Sequence, residues 1–304
     1  MGSARSSSEI IAQWQLPLEE HRNGQILGYI LRYKLNGYNA SPWTYMNISN
    51  EAQRNYLIQD LITWKDYIVQ VAAYNNMGTG FYAEGIRIKT KEGIPEAAPS
   101  DVKVNVMNST AVFVTWKPPN PQQINGINQG YKIQATRQVL ENNVIKEMEV
   151  KTLKVPPNLI NPLEEQNCTL GSLRKFKSYN ITILCFTHPG DGVPSNPVLI
   201  QTQEDVPDEV SSLQFIGVSD RELTMKWIEP IDKNGILTGY QVRYKMKDSL
   251  DTKVVNLTDH ENSLHVTQLK ALTHYYFEVV AWTSKGPGKP KNALIQVSLK
   301  RNTF

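Results

Sequence analysis

Trp116-Lys-Pro-Pro-Asn-Pro-Gln-Gln-Ile-Asn-Gly-Ile-Asn-Gln-Gly-Tyr131 is the stretch from which the fold is read. A tryptophan opens it, prolines follow, Asn125-Gly126 marks a corner, and Gly130-Tyr131 closes it. The same order recurs as Trp14…Asn23-Gly24…Gly28-Tyr29 and as Trp227…Asn234-Gly235…Gly239-Tyr240. The Trp-to-Tyr step is 15, 15 and 13 residues. A pattern met three times in one chain means a structural unit built three times.

A second block recurs with stricter spacing. Leu61, Leu173 and Leu269 are each followed six residues later by a tyrosine: Tyr67, Tyr179 and Tyr275. Eleven residues beyond each tyrosine stands Gly-x-Gly, at Gly78/Gly80, Gly190/Gly192 and Gly286/Gly288. Around these tyrosines every second residue is apolar: Tyr67, Val69, Val71, Ala73; Tyr179, Ile181, Ile183, Cys185; Tyr275, Phe277, Val279, Ala281. Tyr240, Val242 and Tyr244 alternate likewise. Period two is a strand with one face buried. The glycine pairs supply positive φ for the turn into the next strand. Nowhere does an apolar period of 3.6 persist between caps, so almost no helix is expected.

Length and composition narrow the function classes. A chain of 304 residues, 40% apolar and 20% charged, suits two or three ordinary globular domains. A net charge of +3 is too weak and too dispersed for a nucleic-acid surface. The longest apolar runs, such as Ile181–Phe186 and Phe277–Trp282, are strand-sized and fall short of a membrane span. Met1 is followed by Gly-Ser-Ala-Arg-Ser rather than an apolar signal core, so the chain is read either as intracellular or as part of something longer. Two proline-bearing segments, Glu92–Pro99 and Gln203–Val210, separate the repeats as stiff spacers. The expected domains are residues 1–93, 97–204 and 206–300.

These blocks resemble fibronectin type III modules. The resemblance implies an all-β fold: three tandem seven-stranded, immunoglobulin-like sandwiches. It places Trp14, Trp116 and Trp227 inside the sandwich, Tyr29, Tyr131 and Tyr240 at the start of a central strand, and Leu61–Tyr67, Leu173–Tyr179 and Leu269–Tyr275 across a corner between sheets. There the tyrosine hydroxyl bonds a backbone group a few residues upstream. These twelve residues form the expected structural core. Trp14 lies too near the amino end for a full first strand, so module 1 is expected to lack it, or to replace it poorly with Gly2–Ser7. Finer strings, Ile124–Lys132, Leu184–Gly192, Glu204–Pro207 and Asn234–Tyr240, resemble the early type III modules of the sidekick family of single-pass neuronal adhesion proteins. That resemblance implies the extracellular face of the plasma membrane, at cell junctions or synapses. It also implies cell-surface protein partners, homophilic contacts included, with the membrane reached only through other regions.

Little else carries chemistry. His21, His188, His260, His265 and His274 show no metal-ligand spacing, and none pairs with a nucleophile motif. Gly286-Pro-Gly-Lys-Pro290 lacks the Ser/Thr of a phosphate loop. No catalytic residue, cofactor, metal or small-molecule substrate is assigned. Cys168 and Cys185 both fall in core-facing phase; free thiols are the favoured reading and a bridge across the sandwich the alternative. Six Asn-x-Ser/Thr sequons, Asn39, Asn47, Asn108, Asn167, Asn180 and Asn256, are candidates for glycosylation. Trp282 falls in outward phase, and with Arg243, Lys245, Tyr276 and Val280 it makes a candidate partner patch with a cation stacked on the indole. Neither Arg-Gly-Asp nor Trp-Ser-x-Trp-Ser occurs. The leading functional reading is a spacer and interaction segment of an adhesion ectodomain. An intracellular structural array and accessory modules of a receptor phosphatase or secreted enzyme are the alternatives.

Overall fold

The computed structural model describes residues 1–38, 40–141 and 144–298. It contains three β-sandwiches in sequence and, among those residues, only two single-turn 3-10 segments, at Glu19–His21 and Pro121–Gln123.

Module 1 is built from β1 (Gly2–Ala4), β2 (Ile10–Gln13), β3 (Gly28–Leu35), β4 (Thr44–Ile48), β5 (Asn55–Ile58), β6 (Asp66–Asn75), β7 (Gly78–Thr79) and β8 (Ile86–Lys89). Module 2 has β9 (Ser100–Val106), β10 (Val112–Lys117), β11 (Gly130–Glu141), β12 (Val144–Val155), β13 (Gln166–Leu170), β14 (Ser178–Phe186) and β15 (Val198–Gln201). Module 3 has β16 (Ser212–Ile216), β17 (Leu223–Ile228), β18 (Leu237–Met246), β19 (Lys253–Leu257), β20 (Ser263–Val266), β21 (His274–Thr283), β22 (Gly286–Pro287) and β23 (Lys291–Gln296). Each module pairs a three-stranded sheet, β1-β2-β5, β9-β10-β13 or β16-β17-β20, with a larger sheet centred on β3/β6, β11/β14 or β18/β21. Every pairing is antiparallel.

Module 1 does not lack a first strand; of the two expectations, the poor replacement within Gly2–Ser7 is the one found. Gly2–Ala4 pairs with Ile10–Ala12, which makes a first strand of three residues against seven in β9. The shortening shows in the core. Trp116 and Trp227 are 0% and 3% exposed, whereas Trp14 is only half-buried. All three indoles lean on the tyrosine that opens the next strand: Trp14 on Tyr29 and Trp116 on Tyr131 at 5.3 Å between centroids, Trp227 on Tyr240 at 5.5 Å.

At the corner between sheets the second tyrosine closes a five-residue loop. Tyr67, Tyr179 and Tyr275 accept the N–H of Ile62, Arg174 and Lys270 at 2.8, 2.8 and 3.1 Å. The glycine of each Gly-Tyr pair has a steric reason. A Cβ on Gly28, Gly130 or Gly239 would run into the carbonyl of Ile48, Val155 or Leu257 on the neighbouring strand.

Removing an indole that a module closes over costs about 3–5 kcal/mol, against about 5–15 kcal/mol for a whole domain. Trp116→Ala is therefore expected to unfold module 2, or nearly so, while modules 1 and 3 keep their transitions. Calorimetry in which the module 2 transition stays at its original temperature would contradict the assignment.

Candidate functional site

The two spacers are docked segments rather than free linkers, and they dock in the same way. Each carries a glutamate at or next to its start. Glu92 accepts the Ile127 N–H at 2.9 Å, and Glu204 accepts that of Ile236 at 2.8 Å. The next residue adds a backbone bond: Gly93 N donates to Asn125 O and Asp205 N to Asn234 O, both at 2.8 Å. The asparagine side chains bond back, Asn125 Nδ2 to Ile94 O and Asn234 Nδ2 to Val206 O. Thr187 Oγ1 donates to Gly93 O at 2.7 Å, and Thr283 Oγ1 donates to Asp205 O at 2.9 Å. The linker prolines are buried, and their carbonyls accept from Val193 N and Lys289 N. Glycine at the corner keeps the channel open. A Cβ on Gly126 or Gly235 would sit 3.1 Å from the threonine methyl and 3.3 Å from the glutamate Cβ.

The second junction carries an extra clamp. Asp205 stands where the first linker has Gly93, and its carboxylate reaches back to Lys175 Nζ at 2.9 Å and Ser109 Oγ at 3.0 Å, both in module 2. Ser284 Oγ donates to the other oxygen of Glu204 at 2.6 Å. Both carboxyls are held below their usual range: Glu204 by Ser284 and the Ile236 N–H, Asp205 by Lys175 and then the Val206 N–H.

The outer sheet faces differ between modules. On module 1, Arg32 lies between Tyr82 and Trp43, with 3.7 and 4.3 Å from its Cζ to the ring centroids. Its Nε is held by Gln70 Oε1 at 2.9 Å. Nothing in the repeat pattern marks this stack, because Trp43 and Tyr82 come from loops outside both blocks. On module 3 the expected five-residue patch is corrected. Val280 is 5% exposed and offers no free face, while Trp282 is half-buried. Arg243 pairs with Glu278 at 3.4 Å rather than with the indole. Arg243, Lys245 and Tyr276 instead line a shallow groove of about 490 Å³ with Glu278, Thr252 and Asn292. Strand phase placed Val280 outward, yet it is buried there.

Of the sequon asparagines, Asn47, Asn108, Asn167 and Asn256 are exposed and Asn180 is half-exposed; Asn39 lies outside the described residues. Asn108 Oδ1 accepts both the N–H and the hydroxyl of Thr110, at 2.8 and 3.2 Å. Cys168 and Cys185 are free thiols. Burial pushes Cys168 up to about 11 and Cys185 up to about 12. Among the described residues no cluster of His, Cys, Asp or Glu could hold a metal ion.

Two facing antiparallel sheets, an enclosed indole and a tyrosine-closed corner define an immunoglobulin-like β-sandwich, here in tandem. The sequence model of the fibronectin type III domain matches residues 2–89, 97–201 and 208–297, and the chain belongs to that family. It is 63% identical to Protein sidekick of Drosophila melanogaster over 97% of its own length, and 41% identical to Protein sidekick-2 of Gallus gallus, again over 97%. It spans 13% of the length of each of these relatives. Among solved structures, the chicken CNTN1 FN1–FN3 domains align over 97% of this chain and 95% of that one, at 23% identity and a TM-score of 0.38.

Two outcomes are expected from this geometry. Neither thiol should react with an aromatic disulfide reagent at pH 8 until the chain is denatured; labelling of Cys185 in the native state would contradict its burial. At the second junction, a lowered carboxyl stabilises docking above the ordinary carboxylate range and loses that contribution as pH falls through the lowered values. The amides of Asp205 and Ile236 should therefore exchange slowly at pH 7. Their protection, corrected for intrinsic rate, should fall below the ordinary carboxylate pKa of about 4. Equal protection across that range would remove the carboxylates from the joint.

Proposed function

We propose that this chain is an ectodomain segment of a cell-adhesion protein, serving as spacer and interaction modules at the extracellular face of the plasma membrane. The observation that carries the reading is the 63% identity to Protein sidekick, which runs through all three modules and both linkers. The family resemblance extends the proposal to a neuronal parent protein that adheres homophilically at junctions or synapses. Its partners are other cell-surface proteins. The chain's own part is mechanical: docked linkers set the order and spacing of sandwiches, and the outer faces supply lateral contacts. A role without catalysis suits modules of this family.

The exposed sequons support an extracellular placement. Secreted from animal cells behind a leader peptide, the chain should carry N-glycans at several of Asn47, Asn108, Asn167, Asn180 and Asn256. Glycosidase-sensitive mobility and glycopeptide mass spectrometry read this directly. Five bare asparagines on a secreted, folded chain would count against the reading and favour an intracellular array.

A further inference from the structure

Module 1 carries the same pole that receives the linker in modules 2 and 3. Asn23 turns the same left-handed corner, φ 48°, as Asn125 at 58° and Asn234 at 55°. The facing loop closes identically: Gly80 N donates to Ala73 O at 2.9 Å, Gly192 N to Cys185 O at 2.9 Å, and Gly288 N to Ala281 O at 2.8 Å. Between corner and loop is an open cleft of about 560 Å³, lined by Arg22, Asn23, Tyr74, Asn75, Gly80 and Phe81. Phe81 holds the step at which Val193 and Lys289 donate to the linker proline, and its ring is fully exposed.

One residue differs in an informative way. Where modules 2 and 3 have Thr187 and Thr283, module 1 has Asn75. Its Nδ2 donates to Asn23 O at 3.2 Å, the carbonyl whose counterparts on Asn125 and Asn234 accept the linker N–H. The side-chain amide thus occupies the bonding position that a docked backbone takes in the other two modules.

A second groove runs from this pole to the start of β1. It has a volume of about 570 Å³ and is lined by Met1, Trp14, Val71 and Ile86 among others. Ile86 is 40% exposed although it pairs with the inward-facing Val69. Its counterpart Val198 packs on the core of module 2, alongside Val102 of the first strand. Register makes Met1 the equivalent of Lys103: Gly2 pairs with Ala12 as Val104 pairs with Val114. A segment continuing from β1 at the length used in module 2 therefore reaches the cleft.

We propose that the module 1 cleft is a docking site for an extended segment headed by Glu-x-(Ile/Val)-Pro and joined in cis to the amino end of β1. The glutamate would accept the Gln25 N–H, the segment's backbone N–H would displace the Asn75 amide from Asn23 O, and the proline carbonyl would accept from Phe81 N. The apolar residues that follow would complete the first strand and cover Trp14. This proposal stands on linker geometry and goes beyond the adhesion reading.

The test grafts a copy of residues 90–102 directly ahead of residue 1 in the full chain. Hydrogen exchange should slow at least tenfold at the Gln25 and Phe81 amides. Replacing the grafted copy of Glu92 with Ala, which leaves no acceptor, should reverse most of that at Gln25, and Asn75→Thr should strengthen it. Unchanged exchange at Gln25 and Phe81 overturns the proposal. So does equal protection at Gln25 by the Ala graft, which would mean that no glutamate acceptor holds the segment in the cleft. Asn75→Thr in the ungrafted chain controls for folding. Protection accompanied by a concentration-dependent dimer in sedimentation would assign the cleft to a second copy and overturn docking in cis.

Discussion

Each module rests on one contact, an indole packed against the phenol that opens the adjoining central strand. In module 2 Trp116 is 0% exposed and its Nε1 is buried with no hydrogen-bond partner. Burying about 150–250 Å² of aromatic surface at about 25 cal/mol per Å² stabilises by up to roughly 4–6 kcal/mol. An unsatisfied buried N–H costs about 1–3 kcal/mol. The apolar gain wins, so the sandwich tolerates the same orphan donor at Trp14 and Trp227 as well. Aligning the sheets over the indole then fixes which strand residues face inward.

The corner beside the second tyrosine shows how local strain is offset. Asp60, Ser172 and Gln268 lie at φ 58°, 59° and 62°, and Trp64, Phe176 and Leu272 at 56°, 49° and 56°. Such conformations are costly for side chains with a Cβ. The tyrosine hydroxyl holds the loop between them from inside, and in modules 1 and 2 a buried threonine holds it from the other end. Thr90 Oγ1 donates to Ile62 O at 2.9 Å and Thr202 Oγ1 to Arg174 O at 2.8 Å. Leu-x5-Tyr recurs so strictly because two left-handed residues and a five-residue hydroxyl bridge leave no room for insertion.

What was legible in the sequence follows from the range of each interaction. Alternation along Tyr179–Cys185 reports burial directly, because neighbouring residues share one strand. The Asn-Gly corners and the prolines were visible as turns and spacers, but their pairing was not. Glu92 and Ile127 are 35 residues apart, and no local period links them. The Arg32 stack was hidden for the same reason, since Trp43 and Tyr82 approach it from separate loops. Val280 shows the converse failure. Strand phase read it as outward, but that place is buried, as is Leu184 at the matching place of module 2. At β1, a segment too short for a full strand still paired, because three residues suffice to continue a ladder that β2 already presents.

Comparing the three modules separates what the fold requires from what a partner could read. Inward positions repeat: indole, two tyrosines, a leucine and alternating aliphatics. Junction chemistry repeats too, down to the glutamate, the Asn-Gly corner and the threonine of modules 2 and 3. Outward positions do not. Arg32 lies between two aromatic rings, Gln134 stands opposite Thr182 at the same place in module 2, and Arg243 pairs with Glu278. Equivalent places on the same sheet thus carry an aromatic-stacked guanidinium, an uncharged amide and an arginine salt bridge. A packing requirement would have made them alike, as it did inside. Any recognition these modules perform is accordingly sought on that sheet, where the scaffold is constant and the presented chemistry changes from one module to the next.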